Sequence, residues 1–252
     1  MSAITSCAWS PDGTVIASGD STAIVRIWDA STFRPLHVLD TTKTMTYKVS
    51  EKVQVTFTRD GRWLGSVSNT QYCIWDPRSG KLHKVIGPDS PQRYIRYDLM
   101  RSVPFDPEGL RIATISWSGM VKIYSIEDQL GGPQLILRPP GGTNEVAFSP
   151  DGRLLLAAMK DGTVRVWDTR TGAQVFRLKG HEREVHTACF SPCGRYIASA
   201  SWDYTVRVWR TRDRACVSAF QPRNARVSHL AFSLDGNTFF FMRDGGTIWF
   251  DV

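Results

Sequence analysis

EVAFSPDGRLLLAAMKDGTVRVWDTRTGAQVFRL, residues 145–178, reads as four short strands joined by three turns. Glu145 to Phe148 is the first strand. Ser149-Pro150-Asp151-Gly152 follows, with proline supplying a fixed φ and glycine a permissive one where the chain reverses. Leu154 to Ala158 returns as a second strand that is almost wholly apolar, which predicts cover on both of its faces. Asp161-Gly162 is a residue pair that favours a two-residue hairpin, and Thr163 to Trp167 is the third strand. Asp168 to Gly172 turns again, and Ala173 to Leu178 completes the four.

The same unit recurs along all 252 residues. Its Gly-terminated turns end at Gly13, Gly61, Gly109, Gly152, Gly194 and Gly236, spaced 48, 48, 43, 42 and 42 residues apart. An aromatic residue follows each after 14 or 15 residues: Trp28, Trp75, Tyr124, Trp167, Trp209 and Phe250. A four-stranded unit cannot bury both faces alone, so a period of this length predicts sheets stacked side by side in a radial array. A sandwich requires no such period. The repeats fall at about 1–40, 41–88, 89–138, 139–180, 181–222 and 223–252, and are taken together as one domain over 1–252.

The motifs resemble those of the WD40 family. Repeat five carries Gly180-His181, Ser191-Pro192-Cys193-Gly194, Ser201-Trp202-Asp203 and Trp209, and Trp-Asp pairs stand at 28–29, 75–76 and 167–168. The resemblance covers the whole chain and implies an all-β fold, a WD40-type β-propeller. It also implies a hydrogen-bonded structural set of His181, Ser199, Asp203 and Trp209, complete only in repeat five. Repeat four keeps Asp161 and Trp167 without the histidine. Repeat three departs furthest, with Tyr124-Ser125 for Trp-Asp and Ser118 for the aspartate.

Fourth strands are expected at Arg34–Leu39, Leu82–Ile86, Gln134–Leu137, Gln174–Leu178 and Ala215–Phe220, but repeat six reaches Val252 straight after its third strand. The expected total is therefore twenty-three strands, with the last blade lacking its fourth. Three readings follow: the chain is part of a longer array, it closes as a six-bladed ring with one three-stranded blade, or a partner donates the strand.

Two places carry candidate binding chemistry. One is a pair of long links between repeats, Asp40 to Lys52 and Gly87 to Ser102. The second interleaves basic and aromatic residues, Arg93-Tyr94-Ile95-Arg96-Tyr97. It reads either as a binding edge or as a solvated loop whose tyrosines pack on the blade below. The other is the position before the turn aspartate, which holds Trp117, Lys160, Trp202 and Arg243, with Gly19 and Ser68 read as its equivalents in repeats one and two. The family resemblance places this position on the rim of the propeller's upper surface. Aromatic rings beside cations suit an acidic or phosphorylated peptide; a tryptophan capping its own blade is the structural alternative.

The net charge of +7 invites a nucleic-acid reading. Arg26, Lys122, Arg165 and Arg207, however, each stand two residues before the blade aromatic, so they read as repeat-bound side chains with their stems between blades. No contiguous basic run or dedicated nucleic-acid motif occurs, and RNA or chromatin contact is the second reading. His181-Glu-Arg-Glu-Val-His186 has its histidines five apart where a zinc helix needs four. The sequence contains no G-x-S-x-G, phosphate loop or dinucleotide fingerprint, so neither metal nor cofactor is expected. A hydrolase-type propeller is the outside reading. Five cysteines without metal-site spacing, and an N-terminus without signal-peptide character, fit a cytoplasmic or nuclear protein. The expected function is non-catalytic: a scaffold that presents its upper surface to a protein or peptide.

Overall fold

The computed structural model describes residues 2–44, 53–68, 71–87, 104–116, 119–128, 131–221, 227–233, 235–236, 238–243 and 246–251. Its contacts divide the chain into two compact units, Met1–Trp117 with Lys122–Gln134, and Ser118–Val121 with Leu135–Val252.

In the first unit, repeat one forms β1 (Ile4–Trp9), β2 (Val15–Asp20), β3 (Ile24–Asp29) and β4 (Pro35–Asp40), an antiparallel sheet in chain order. A short 3-10 turn, Thr41–Thr44, opens the first long link. Repeat two forms β5 (Gln54–Phe57), β6 (Leu64–Val67), β7 (Tyr72–Asp76) and β8 (Lys81–Ile86) in the same way. Repeat three contributes β9 (Arg111–Ile115), β10 (Val121–Ser125) and β11 (Leu135–Leu137) and runs across the division between the units.

In the second unit, repeat four forms β12 (Thr143–Phe148), β13 (Leu154–Met159), β14 (Val164–Asp168) and β15 (Gln174–Leu178). Repeat five forms β16 (Val185–Phe190), β17 (Tyr196–Ser201), β18 (Val206–Arg210) and β19 (Cys216–Phe220), and repeat six β20 (Val227–Phe232), β21 (Thr238–Arg243) and β22 (Gly246–Asp251). The order within each sheet again follows the chain, and the sixth sheet has three described strands. Twenty-two strands are thus described where the sequence predicts twenty-three. The difference is the first strand of repeat three, of which the described residues show the bridge between Phe105 and Ile112, while 101–103 lie outside them.

The second strand of each repeat is buried as its composition predicts. Leu155 to Met159 of β13 are all fully buried, as are Ile197 to Ala200 except for their polar members' bonds described below. Neighbouring sheets supply the cover. Leu156, Val164 and Val166 of repeat four share one apolar cluster with Val185, Ala188 and Ile197 of repeat five, and Val206 and Val208 share another with Val227, Phe239 and Phe241 of repeat six.

A recurring bulge adds a polar fastening between sheets. The pairing of first and second strands skips one residue between Ile4 and Ser6, between Thr143 and Glu145, and between Val185 and Thr187. A bulge leaves its extra residue unpaired and re-aims the side chain. The skipped residues Thr5, Asn144 and His186 each reach the first strand of the next repeat. Thr5 Oγ1 donates to the Val53 carbonyl at 2.8 Å, Asn144 Nδ2 donates to the Val185 carbonyl at 2.8 Å, and His186 Nε2 bonds the Val227 carbonyl. The second histidine of the 181–186 segment is therefore a fastening between sheets.

Two expectations are corrected. The turn at Asp161-Gly162 is a three-residue loop: Met159 N–H donates to the Thr163 carbonyl at 3.0 Å, across Lys160, Asp161 and Gly162. Gly162 takes a positive φ of 80°, as a three-residue hairpin requires at its third position. Ala23 and Tyr204 hold the same place in repeats one and five, each with φ of 64°. The register also moves three equivalences. Ile16, Leu155 and Ile197 each pair with the blade tryptophan, so Lys160 and Trp202 correspond to Ser21, and Gly19 lies two residues earlier within β2. Gly19 is glycine for another reason: a Cβ there would meet the Val53 carbonyl oxygen at 2.7 Å. Leu64 pairs with Trp75, which aligns Ser68 with Met159, and Val227 pairs with Arg243 as Thr143 pairs with Met159. Ser68 and Arg243 therefore stand at the last strand position before the loop, not on it.

Candidate functional site

The hairpin loops after β13 and β17 are held from beneath and open above. The backbone N–H of Lys160 donates to the Gly142 carbonyl at 3.1 Å, and that of Trp202 to the Glu184 carbonyl at 3.0 Å. Both acceptors lie on the incoming segment of the same repeat, so each loop is tied to its own sheet. The methylene stem of Lys160 lies along Gly142, where an added Cβ would approach Lys160 Cδ to 3.2 Å. Lys160 is half-buried and Trp202 is 45% exposed.

The next residue in each loop does the opposite. Asp203 Oδ1 accepts from the Thr205 N–H at 2.8 Å and its hydroxyl at 2.7 Å, while Oδ2 accepts from the Glu182 N–H at 3.0 Å and lies 3.0 Å from His181 Nδ1. His181 Nε2 is 2.8 Å from Ser199 Oγ, which also accepts the Trp209 indole N–H at 2.8 Å. The four residues thus form one chain of hydrogen bonds. A proton on Nδ1 satisfies it throughout: Nδ1 donates to Asp203, Ser199 donates to Nε2, and Trp209 donates to Ser199.

Burial pushes the His181 pKa below its ordinary 6.5, against the pull of the Asp203 charge, so the imidazole is neutral at pH 7. Burial also acts to raise Asp203, but donors from Thr205 and Glu182 outweigh it and hold the carboxyl at about 2. Asp161 accepts from the Thr163 N–H and hydroxyl and pairs with Arg165 at 2.7 Å, with its pKa lowered for the same reasons. Trp167 is buried beside Ala157, where repeat five has Ser199.

Repeats one and two keep part of this arrangement. Trp28 Nε1 donates to Ser18 Oγ and Trp75 Nε1 to Ser66 Oγ, both at 2.9 Å. In repeat one, fully buried Asp20 replaces the loop aspartate from a position two residues earlier. It accepts from Thr22, Ile24 and Ser2 and pairs with Arg26 at 2.6 Å. Sequence reading had recognised Arg26 as a repeat residue without its partner. The two-residue offset between Asp20 and Asp161 hides the equivalence.

Of the other candidates, Trp117, Arg93, Tyr94, Arg96 and Tyr97 lie outside the described residues. Arg243 is described in its backbone, as the last residue of β21. The repeat-bound cations behave variously: Arg165 is paired, and the Arg207 guanidinium lies 5.9 Å from the centre of the Trp209 ring. None of the five cysteines is in a disulfide, and no group of three or more potential metal ligands occurs among the described residues. No helix among them is long and apolar enough to cross a membrane.

The family model of the WD domain, G-beta repeat, matches residues 1–29, 133–168 and 172–210. Relatives include the pre-mRNA-processing factor 19 of Oryza sativa subsp. japonica, 29% identical over 66% of this chain and 30% of that protein. A guanine nucleotide-binding protein subunit beta of Zea mays is 26% identical over 69% of this chain and 47% of its own length. The COMPASS component SWD3 of Saccharomyces cerevisiae is 29% identical over 72% and 57%. Among solved structures, the C-terminal WD40 domain of Sif2 superposes with a TM-score of 0.78 over 98% of this chain and 66% of that one, at 22% identity. The chain spans only part of each relative. Repeat geometry, motif matches and superposition agree: the chain carries repeats that match the WD domain, G-beta repeat, and it shares the fold of a WD40 domain.

Proposed function

We propose that this protein is a non-catalytic scaffold whose hairpin loops, centred on Lys160 and Trp202, dock a protein segment carrying acidic or phosphorylated residues. The observation that carries the reading is the contrast within one loop. Asp203 is consumed by four hydrogen bonds that fix the loop, while adjacent Trp202 keeps 45% of its surface in solvent. A rigidly mounted, exposed indole costs little entropy to order on binding and offers a large contact area. Lys160, at the equivalent position one repeat earlier, adds a cation for a carboxylate or phosphate. Trp117 extends the same position to repeat three, and Arg243 would add charge from the end of β21. The relatives' names, a pre-mRNA-processing factor, a G-protein β subunit and a COMPASS component, fit a role in assemblies rather than in turnover. The cytoplasm or nucleus is the matching location for a chain whose five cysteines form no disulfide.

An array of acidic, phosphorylated and neutral peptides tests this reading. The wild-type protein should retain acidic or phosphorylated members, and Lys160→Glu should lose them at least tenfold. Retention that is indifferent to peptide charge would overturn the acidic-segment reading.

A further inference from the structure

The opposite end of repeats four and five carries a second site. Strand β13 joins its two ends, so a turn before Leu154 and a loop after Met159 lie roughly 17 Å apart at about 3.3 Å per residue. Between the lower turns of the two repeats is a cavity of about 430 Å³, within the size range of small ligand sites. Leu154, Phe176 and Phe190 line it with Pro150, Pro192 and Cys193, and one carboxylate, Asp151, faces it together with Arg212.

Its apolar lining is surrounded by positive charge. Arg153, Arg170, Arg195, Arg212 and Arg214 are exposed on the turns at this end, and none makes an ion pair among the described residues. The aspartates on the same turns are committed. Asp151 accepts from Ser149 and the Arg153 N–H, and Asp168 from the N–H groups of Arg170 and Thr171. Asp213 accepts from the Ala215 N–H and pairs with Arg210 at 2.8 Å. The Arg214 guanidinium lies 5.4 Å from the centre of the Phe176 ring, so one cation sits directly against the cavity lining.

Repeat five also removes a charge that its sister turns keep. The third turn position is Asp12, Asp60, Asp151 and Asp235 in repeats one, two, four and six, but Cys193 in repeat five. The Cys193 thiol takes up the carboxylate's place, with Sγ 3.4 Å from Ser191 Oγ and accepting from Arg195 Nε at 3.4 Å. An aspartate here would add a second full carboxylate charge to that of Asp151; the cysteine adds less and leaves the arginines in excess around the cavity.

We infer that this cavity docks an acidic peptide segment of a partner protein through one large apolar side chain, with the surrounding arginines holding the flanking carboxylates. An apolar anchor in a pocket with charge complementarity at the rim is the arrangement from which peptide recognition draws both affinity and specificity. The site uses none of the residues of the hairpin loops and stands or falls separately from them.

Cys193 makes the site directly readable. The test uses fluorescein-labelled decapeptides with one central Phe, Leu or Trp flanked by Asp and Glu, and a matched set flanked by Lys. Binding is followed by anisotropy, and occupancy by protection of Cys193 from iodoacetamide in peptide mass analysis. Acidic members should bind and slow Cys193 alkylation at least fivefold, and the lysine set should do neither. Cys193→Asp, which restores the residue of the sister turns, should weaken acidic-peptide binding measured in a Trp202→Ala background at least tenfold. Arg212→Glu should abolish the protection of Cys193, while Trp202→Ala alone leaves that protection unchanged. If no acidic member protects Cys193, or if protection survives Arg212→Glu, the inference is wrong. Loss of the Cys193 protection in Trp202→Ala would assign it to the hairpin loops instead.

Discussion

Trp202 and Asp203 are neighbours in one three-residue loop with opposite fates: the Asp203 side chain is 7% exposed and bonded to His181, and Trp202 is 45% exposed. The first residue is displayed because the second is fixed. Substitutions at the two adjacent positions should therefore separate loop stability from the docking proposed for Trp202.

Ser199 is the test of the fixed half. Its hydroxyl serves both His181 and Trp209, and the residue is fully buried. Ser199→Ala preserves volume but leaves two buried groups without their partner, a cost of about 1–3 kcal/mol. Urea unfolding should show a lower midpoint with an unchanged m-value. Trp202→Ala should leave that midpoint within error.

Acid should reveal His181. Its folded pKa lies below the ordinary 6.5, so the unfolded chain takes up the proton more readily, and this contribution to stability is lost as pH falls below 6.5. Asp203, held at about 2 against an ordinary 3.8, keeps its contribution until pH falls below 3.8. Between pH 7 and pH 5, then, the contribution of His181 is lost while that of Asp203 is kept. Urea unfolding at pH 5, 6 and 7 should show a smaller pH dependence in His181→Asn than in wild type. An equal slope in the two would contradict this assignment.

Among the five thiols, Cys193 should alkylate fastest near neutral pH. Partial burial acts to raise its pKa, but the Arg195 and Ser191 hydrogen bonds outweigh that and bring it to about 7. Burial, with the Glu145 charge, pushes Cys189 up to about 12, and it should react slowest. The Cys193 rate should rise with pH around a midpoint near 7, and Arg195→Ala should move the midpoint upward.

Gly19 tests the packing of the first two repeats. An alanine Cβ would stand 2.7 Å from the Val53 carbonyl oxygen, and backbone cannot rotate away as a side-chain end can. Gly19→Ala should destabilise by about 1–3 kcal/mol, the usual cost of overpacking. Thermal unfolding of the variant checks it.

The fold was legible because its signal is repeated. Six Gly-terminated turns and six aromatics fix where strands begin, and the strand read as starting at Ala173 or Gln174 and ending at Leu178 is observed at Gln174–Leu178. What eluded sequence reading lies where a register shifts by one or two residues. Asp20 does the work of Asp161 from two positions earlier, and Arg243 falls one residue short of the loop, because hairpin length is set by backbone geometry that the aspartate alone does not reveal. The fastening role of Thr5, Asn144 and His186 is hidden by their differing chemistry. Only the bulge beneath them is common, although a polar residue recurring 42 positions on, from Asn144 to His186, was a usable signal. The cavity beside Cys193 is formed by two turns distant in sequence, so the missing aspartate was visible and the space behind it was not.

The most direct test of the scaffold reading is capture from a nuclease-treated cell lysate on immobilised wild type, Trp202→Ala and Lys160→Glu, with quantitative mass spectrometry of what is retained. The account predicts protein partners that survive nuclease, that are lost together in both variants, and that return with neither salt-independent nor nucleic-acid-dependent binding. An identical retained set on wild type and Trp202→Ala, or partners that vanish with nuclease, would contradict it.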